Sequence, residues 1–140
     1  MKKLITLLLL AVAVSFTTTA QTSLVSQYSL TVDTVTNSGT KYLTIPAAVK
    51  GFYKTCSVQF YASEISGTTA GTATLQYSLD NSNWYSVPRD SVYTLTDVST
   101  QSFGWQLKDW GDLYLRVKVT GSGTMADKIY AKVLYRKENQ

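Results

Sequence analysis

The chain contains no histidine, one cysteine and two prolines in 140 residues, and each shortage excludes something. Lone Cys56 cannot close an intrachain disulfide, so a small disulfide-stapled scaffold is ruled out. Without histidine the chain lacks the common His-containing zinc sites and the one side chain that titrates near neutrality unperturbed. Ser-His-Asp and Cys-His catalysis are excluded with it. Charge is sparse, at 16% of residues, and the basic side chains are scattered singly apart from Lys2-Lys3 and Arg136-Lys137. Phosphate backbones are held by clustered basic stripes, so no nucleic-acid partner is expected. No apolar run reaches the roughly 18 to 20 residues needed to span a bilayer. A hydrophobic fraction of 44% nevertheless argues against disorder and fits one globular domain.

What is present begins with an address. Lys2 and Lys3 precede an apolar stretch from Leu4 to Phe16, and Thr18-Thr19-Ala20 offers small residues before Gln21. This is the pattern of a secretory signal peptide cleaved after Ala20. The expected organisation is therefore a signal peptide over 1–20 and a single domain over 21–140, secreted or periplasmic, with no membrane span after cleavage. A lipoprotein would need Cys directly after the cut, and Cys56 is far from it. Removing Lys2 and Lys3 leaves 11 basic against 9 acidic residues, so the working protein is only weakly basic. The Lys-Lys start and the Ala-Gln junction resemble the signals of exported Bacteroidetes proteins.

The rest of the chain reads as strands. Leu113, Leu115, Val117 and Val119 alternate with Tyr114, Arg116 and Lys118, a period of two that marks a half-buried strand. After Gly121-Ser122-Gly123 the alternation resumes from Ile129 to Arg136, which predicts a hairpin. Cys56 to Ala62 and Ala73 to Leu79, separated by Gly67 to Gly71, predict a second one. Leu24 to Val32, Lys41 to Ile45, Trp84 to Val87, Val92 to Thr96 and Ser102 to Leu107 bring the candidate strands to about nine. Many short strands rich in Thr, Tyr and Val predict an all-β fold, a single antiparallel β-sandwich of the immunoglobulin-like or jelly-roll-like kind. A small β-barrel is the alternative.

Few residues could carry chemistry. Leu75 to Trp84 is a strand, a polar Asp80-Asn81-Ser82-Asn83 turn, and an aromatic return, in which Asp and Asn bond their own backbone. It partly resembles the Asp-box of sialidases, but Ser82 stands where that motif has Gly and there is a single copy. Phe103, Trp105 and Leu107 share one face, which places Trp105 in the core, as an apolar face does Cys56. Trp110 stands apart, in a predicted turn Asp109-Trp110-Gly111-Asp112 at one end of the sandwich. An exposed indole flanked by carboxylates suits a sugar ring, whose C–H face stacks while its hydroxyls bond to Asp. Trp110, Asp109 and Asp112, with Trp84 and Tyr85, are the candidate ligand-binding residues. Asp109 and Asp112 in one short turn do not flank a glycosidic bond as a glycosidase pair must, so no catalytic residue is assigned. No cofactor and no metal ligand is expected.

From Thr72 to Arg136 the order Leu-Gln-x-Ser-x-Asp-x-x-x-Trp at 75–84, Trp105, and Leu113-Tyr-Leu-Arg-Val-Lys-Val-Thr-Gly-Ser-Gly-Thr124 resembles small β-sandwich modules of tailed-phage and prophage virion proteins. That resemblance implies no catalysis; such modules decorate capsids, build fibres or touch surface glycans. The secretion signal departs from it, since virion parts assembled in the cytoplasm need none. Two functions are therefore expected: an exported, non-catalytic interaction module that binds a glycan or a protein partner through end-loop aromatics, or a structural subunit of an appendage, envelope layer or phage-derived particle that self-associates through edge strands.

Overall fold

A computed structural model describes residues 25–45, 53–88, 92–111 and 114–137. Its strands are β1 (Val25–Ser29), β2 (Asp33–Thr36), β3 (Thr40–Thr44), β4 (Tyr53–Gly67), β5 (Gly71–Ser78), β6 (Tyr85–Ser86), β7 (Val92–Leu95), β8 (Thr100–Trp110), β9 (Tyr114–Gly121) and β10 (Met125–Lys137). They form two five-stranded antiparallel sheets, which is a β-sandwich and not the alternative barrel. In the first sheet the order is β1-β10-β4-β8, with β2 also on β10; in the second it is β3-β9-β5-β6, with β7 also on β5. β10 and β5 are thus each covered on one side by two short strands in series. Those interrupted edges leave little continuous backbone to template pairing with another chain, whereas the opposite edge of the first sheet is the eleven-residue β8. The predicted signal segment lies outside the described residues, and among those described no helix is long and apolar enough to cross a membrane.

The alternation read from sequence translates directly into burial. Along β9, Leu115, Val117 and Val119 are buried, and Tyr114, Arg116, Lys118 and Thr120 are not. The core is built from those residues with Ala73, Leu75 and Leu43 from the second sheet, facing Val58, Phe60, Ile129, Ala131 and Val133 from the first. Each large aliphatic or aromatic side chain buried this way contributes about 1.5–3 kcal/mol relative to exposure. Cys56 and Trp105 lie in this core as expected. Burial pushes the Cys56 thiol up to about 11, so at neutral pH it is an inert apolar group.

Both expected hairpins are corrected by the sheet order. β4 and β10 lie in the first sheet while β5 and β9 lie in the second, so the 67–71 and 121–124 segments carry the chain across the sandwich. Alternation specifies a strand's two faces but not its hydrogen-bonded neighbour. β4 pairs instead with β10 along most of its length, from Tyr53↔Lys137 to Gly67↔Met125. The crossing needs glycine where backbones close up. At Gly71, with φ of 136°, a Cβ would lie 2.1 Å from the Thr120 carbonyl oxygen. The β4–β5 crossing is also pinned by carboxylates: Thr69 Oγ1 donates to Asp127 Oδ1 at 2.7 Å, and the Thr69 amide donates to Asp97 Oδ1 at 3.0 Å. Asp127 is fully buried on the inward side of β10, where its Oδ2 has no hydrogen-bond partner among the described residues.

The predicted strand over 24–32 is in fact followed by a further one, β2, and both pair with β10. The open side of the sandwich between β7 and β8 is closed by Tyr93. Its ring stacks on Phe103 at 4.6 Å, meets Trp105 edge-on at 5.3 Å, and its hydroxyl donates to the Gly104 carbonyl at 2.9 Å.

Candidate functional site

The turn from 79 to 83 is held by hydrogen bonds within itself. Asp80 Oδ1 accepts from the amides of Ser82 and Asn83, each at 2.8 Å, and from Ser78 Oγ at 2.9 Å; Oδ2 accepts from Asn83 Nδ2 at 2.6 Å. These donors hold the Asp80 carboxyl well below the usual carboxylate range. Asn81 adopts φ of 61°, which asparagine tolerates. The self-contained turn sets β6 antiparallel to β5, with Gln76↔Ser86 and Tyr77↔Tyr85, as the sequence predicts for this one hairpin.

The consequence is where Trp84 lands. Leu115 and Val117 point into the core, so Arg116 between them points outward, and Trp84 meets it there. The Arg116 guanidinium carbon lies 3.9 Å from the Trp84 ring centroid and 4.1 Å from that of Tyr42. Arg116 Nε donates to Gln76 Oε1 at 2.9 Å across the β9–β5 pairing. Two aromatic rings and an amide therefore lock one planar cation on an outer sheet face. Partial burial lowers the guanidinium's pKa and the nearby Tyr42 opposes the shift, but guanidinium remains charged throughout the ordinary pH range. Tyr42 keeps 47% of its surface exposed.

Of the five residues singled out from sequence, Trp84, Tyr85 and Asp109 are described with their side chains. Trp84 belongs to the Arg116 cluster. Tyr85 points the other way, pairing with Tyr77 at 5.9 Å between centroids while staying exposed. Asp109 lies exposed near the end of β8, in the other sheet, with φ of 47°. Trp110 is the last residue of β8, its backbone paired with Tyr53, and not part of a turn; its side chain lies outside the described residues, as does all of Asp112. Strand β8 runs further than expected because pairing with the long β4 carries the ladder past the last alternating apolar residue, Leu107. Missing from the sequence-derived set are Tyr42, Arg116 and Gln76. The signal for Arg116 was there, a charged residue on the polar side of an alternating strand; that two aromatics from distant segments flank it was not.

The clefts lined by Val87, Tyr93 and Trp105 (about 270 Å³), by Tyr61, Gln101 and Tyr130 (about 320 Å³) and by Thr36, Gly67 and Met125 (about 280 Å³) contain no carboxylate. Ser38 and Lys41 have the Ser-x-x-Lys spacing across the β2–β3 turn, yet Lys41 Nζ is ion-paired with Asp33 Oδ1 at 3.1 Å.

No protein-family model and no curated protein matches the chain. Among solved structures, it is similar to the xylan-binding CBM22-1 domain of Paenibacillus barcinonensis Xyn10C, at 9% identity and a TM-score of 0.50, covering 81% of this chain and 88% of that one. A protein of the disulfide-linked pili of Bacillus endospore appendages aligns at 13% identity and a TM-score of 0.47, over 83% and 91% of the two chains. The family 11 carbohydrate-binding module of Clostridium thermocellum Lic26A-Cel5E aligns at 12% and 0.36, over 86% and 91%. At such identities the likeness concerns the fold alone. The chain has a β-sandwich fold.

Proposed function

We propose that this protein is an exported, non-catalytic glycan-binding module whose ligand lies on the outer face of the second sheet, across Tyr42, Arg116 and Trp84. The observation that carries the proposal is the guanidinium held between two aromatic rings on that face. Indole and phenol rings offer apolar faces for the C–H side of a pyranose, while the guanidinium and neighbouring threonine hydroxyls supply hydrogen bonds to its rim. The site differs from the end-loop aromatics expected from sequence, since it is carried by rigid strands and by a turn that is bonded to itself. Function here follows from the side chains on the sheet face and not from the fold, which hosts many unrelated functions.

The test is retention of the protein in native gels containing soluble polysaccharides, with Trp84→Ala and Tyr42→Ala as variants. The wild type is expected to be slowed by at least one polymer and each variant to run as in a blank gel, with unchanged circular dichroism. Free migration of the wild type in every polymer would refute the proposal. A concentration-dependent polymer seen by light scattering, together with that free migration, would favour the appendage subunit instead.

A further inference from the structure

We infer that the glycan this face selects is acidic, a chain bearing uronate carboxylates, and that Arg116 is the residue that grips the carboxylate; this rests on the glycan-binding reading above. Of the five N–H donors of a guanidinium, Arg116 commits Nε to Gln76, and its central carbon lies over the rings of Tyr42 and Trp84, 4.1 and 3.9 Å from their centroids. What remains are the in-plane Nη donors. Their fork matches the two oxygens of a carboxylate, and because the stack and the hydrogen bond to Gln76 already immobilise the group, little side-chain entropy is left to lose on binding.

The charge on this face is not compensated from within. Among the described residues no carboxylate pairs with Arg116; the ion pair present joins Lys41 to Asp33. Asp80, the acid of the turn that delivers Trp84, has both oxygens engaged by Ser78, Ser82 and Asn83. A second cation, Lys118, follows Arg116 on the same side of β9, directly across from Tyr42 on β3 and Thr74 on β5. The other positions of β3 and β5 on that side are threonines, Gln76 and Ser78, with no acid. A neutral sugar would leave these two positive charges unanswered, whereas a uronate chain answers both with its repeating carboxylates. Two cations are too few for the stripe that a nucleic-acid backbone requires.

The decisive comparison uses one polymer in two forms. The protein is titrated calorimetrically, at low salt, with de-esterified polygalacturonate, with the same polymer fully methyl-esterified, and with a sulfated neutral glucan. Binding to the de-esterified form should be stronger by roughly tenfold or more, the scale of a hydrogen bond to a charged group. Arg116→Gln should erase that preference, Arg116→Lys should restore part of it, and Lys118→Gln should weaken binding several-fold while keeping the preference. Thermal melting of each variant confirms that it is folded. Equal binding to the two forms, abolished by Trp84→Ala, would overturn the acidic selectivity and leave the glycan-binding platform standing. Preference for the sulfated glucan would overturn the assignment to carboxylate. No binding to these or to any neutral polysaccharide would remove the platform itself and the inference with it.

Discussion

The two outer faces of the sandwich use the same residue types to opposite ends. On the first sheet Tyr61 and Tyr130, cross-strand partners on β4 and β10, stack on each other at 4.6 Å and 7°, with Lys132 at 5.7 Å from the Tyr61 ring. On the second sheet Tyr42 and Trp84 stack on a cation that lies between them. The first arrangement satisfies two rings with each other and stabilises the sheet locally. The second sets a donor-bearing group between two rings and leaves its in-plane edge for something else. Aromatic content alone therefore does not mark a binding face; what the rings are stacked against does.

The inner faces, by contrast, should be equivalent, and that gives the largest expected effects. Phe60→Ala in the first sheet and Leu75→Ala in the second remove fully buried side chains and should cost about 3–5 and 2–5 kcal/mol, read from urea unfolding. A cost below about 1 kcal/mol for either would mean that its sheet does not share the common core. Next come the outer faces. Trp84→Ala should weaken polysaccharide binding roughly tenfold or more, as loss of an aromatic anchor does, while changing stability by less than about 1 kcal/mol. Tyr130→Ala should do the reverse, leaving binding unchanged and costing about 0.5–1.5 kcal/mol for the lost ring pair. Equal losses of binding from both variants would erase the distinction between the faces.

Between the core effects and those of the outer faces lies the contribution of the β4–β5 crossing. Thr69→Val removes the hydroxyl bonded to buried Asp127 and should cost about 1–3 kcal/mol without touching the glycan face. The pH dependence gives the finest comparison. Asp80 has a lower pKa in the folded chain than in the unfolded one, whose carboxyl titrates near 3.8, so its support of the Trp84 turn is complete above that value. It is lost as the pH falls below 3.8 toward the folded pKa, and Asp80→Asn should flatten the acid limb of the melting temperature. Cys56 acts at the other end. Between 9.0 and about 11 the unfolded thiol ionises while the folded one does not, so stability should fall there, and Cys56→Ala should remove that decline.

Much of the fold was legible along the chain because a strand buried on one face writes itself as alternation. β9, β10, the Asp80 turn and the burial of Trp105 and Cys56 were all recoverable from local residues. The hairpins were not, because the 67–71 and 121–124 glycine segments look the same in sequence whether a chain folds back beside itself or crosses to a second layer. Gly71 reveals the difference only through the Thr120 carbonyl that leaves no room for a Cβ, and that carbonyl comes from another strand. The site was half legible. Trp84 was picked out for the turn that precedes it, while Trp110 drew attention from an Asp-x-Gly-Asp setting that lengthened pairing with β4 turned into the end of a strand.

Sequence alone determined that the chain is all-β, that an intrachain disulfide, His-dependent catalysis and His-containing zinc sites are closed to it, and which side of each strong strand faces the core, since composition and period-two patterning are local properties. Only the tertiary structure decided which strands are neighbours and which side chains share a face. Tyr42, Trp84 and Arg116 come from segments more than thirty residues apart, and their meeting depends on β3 and β5 flanking β9, a long-range pairing that no local pattern encodes.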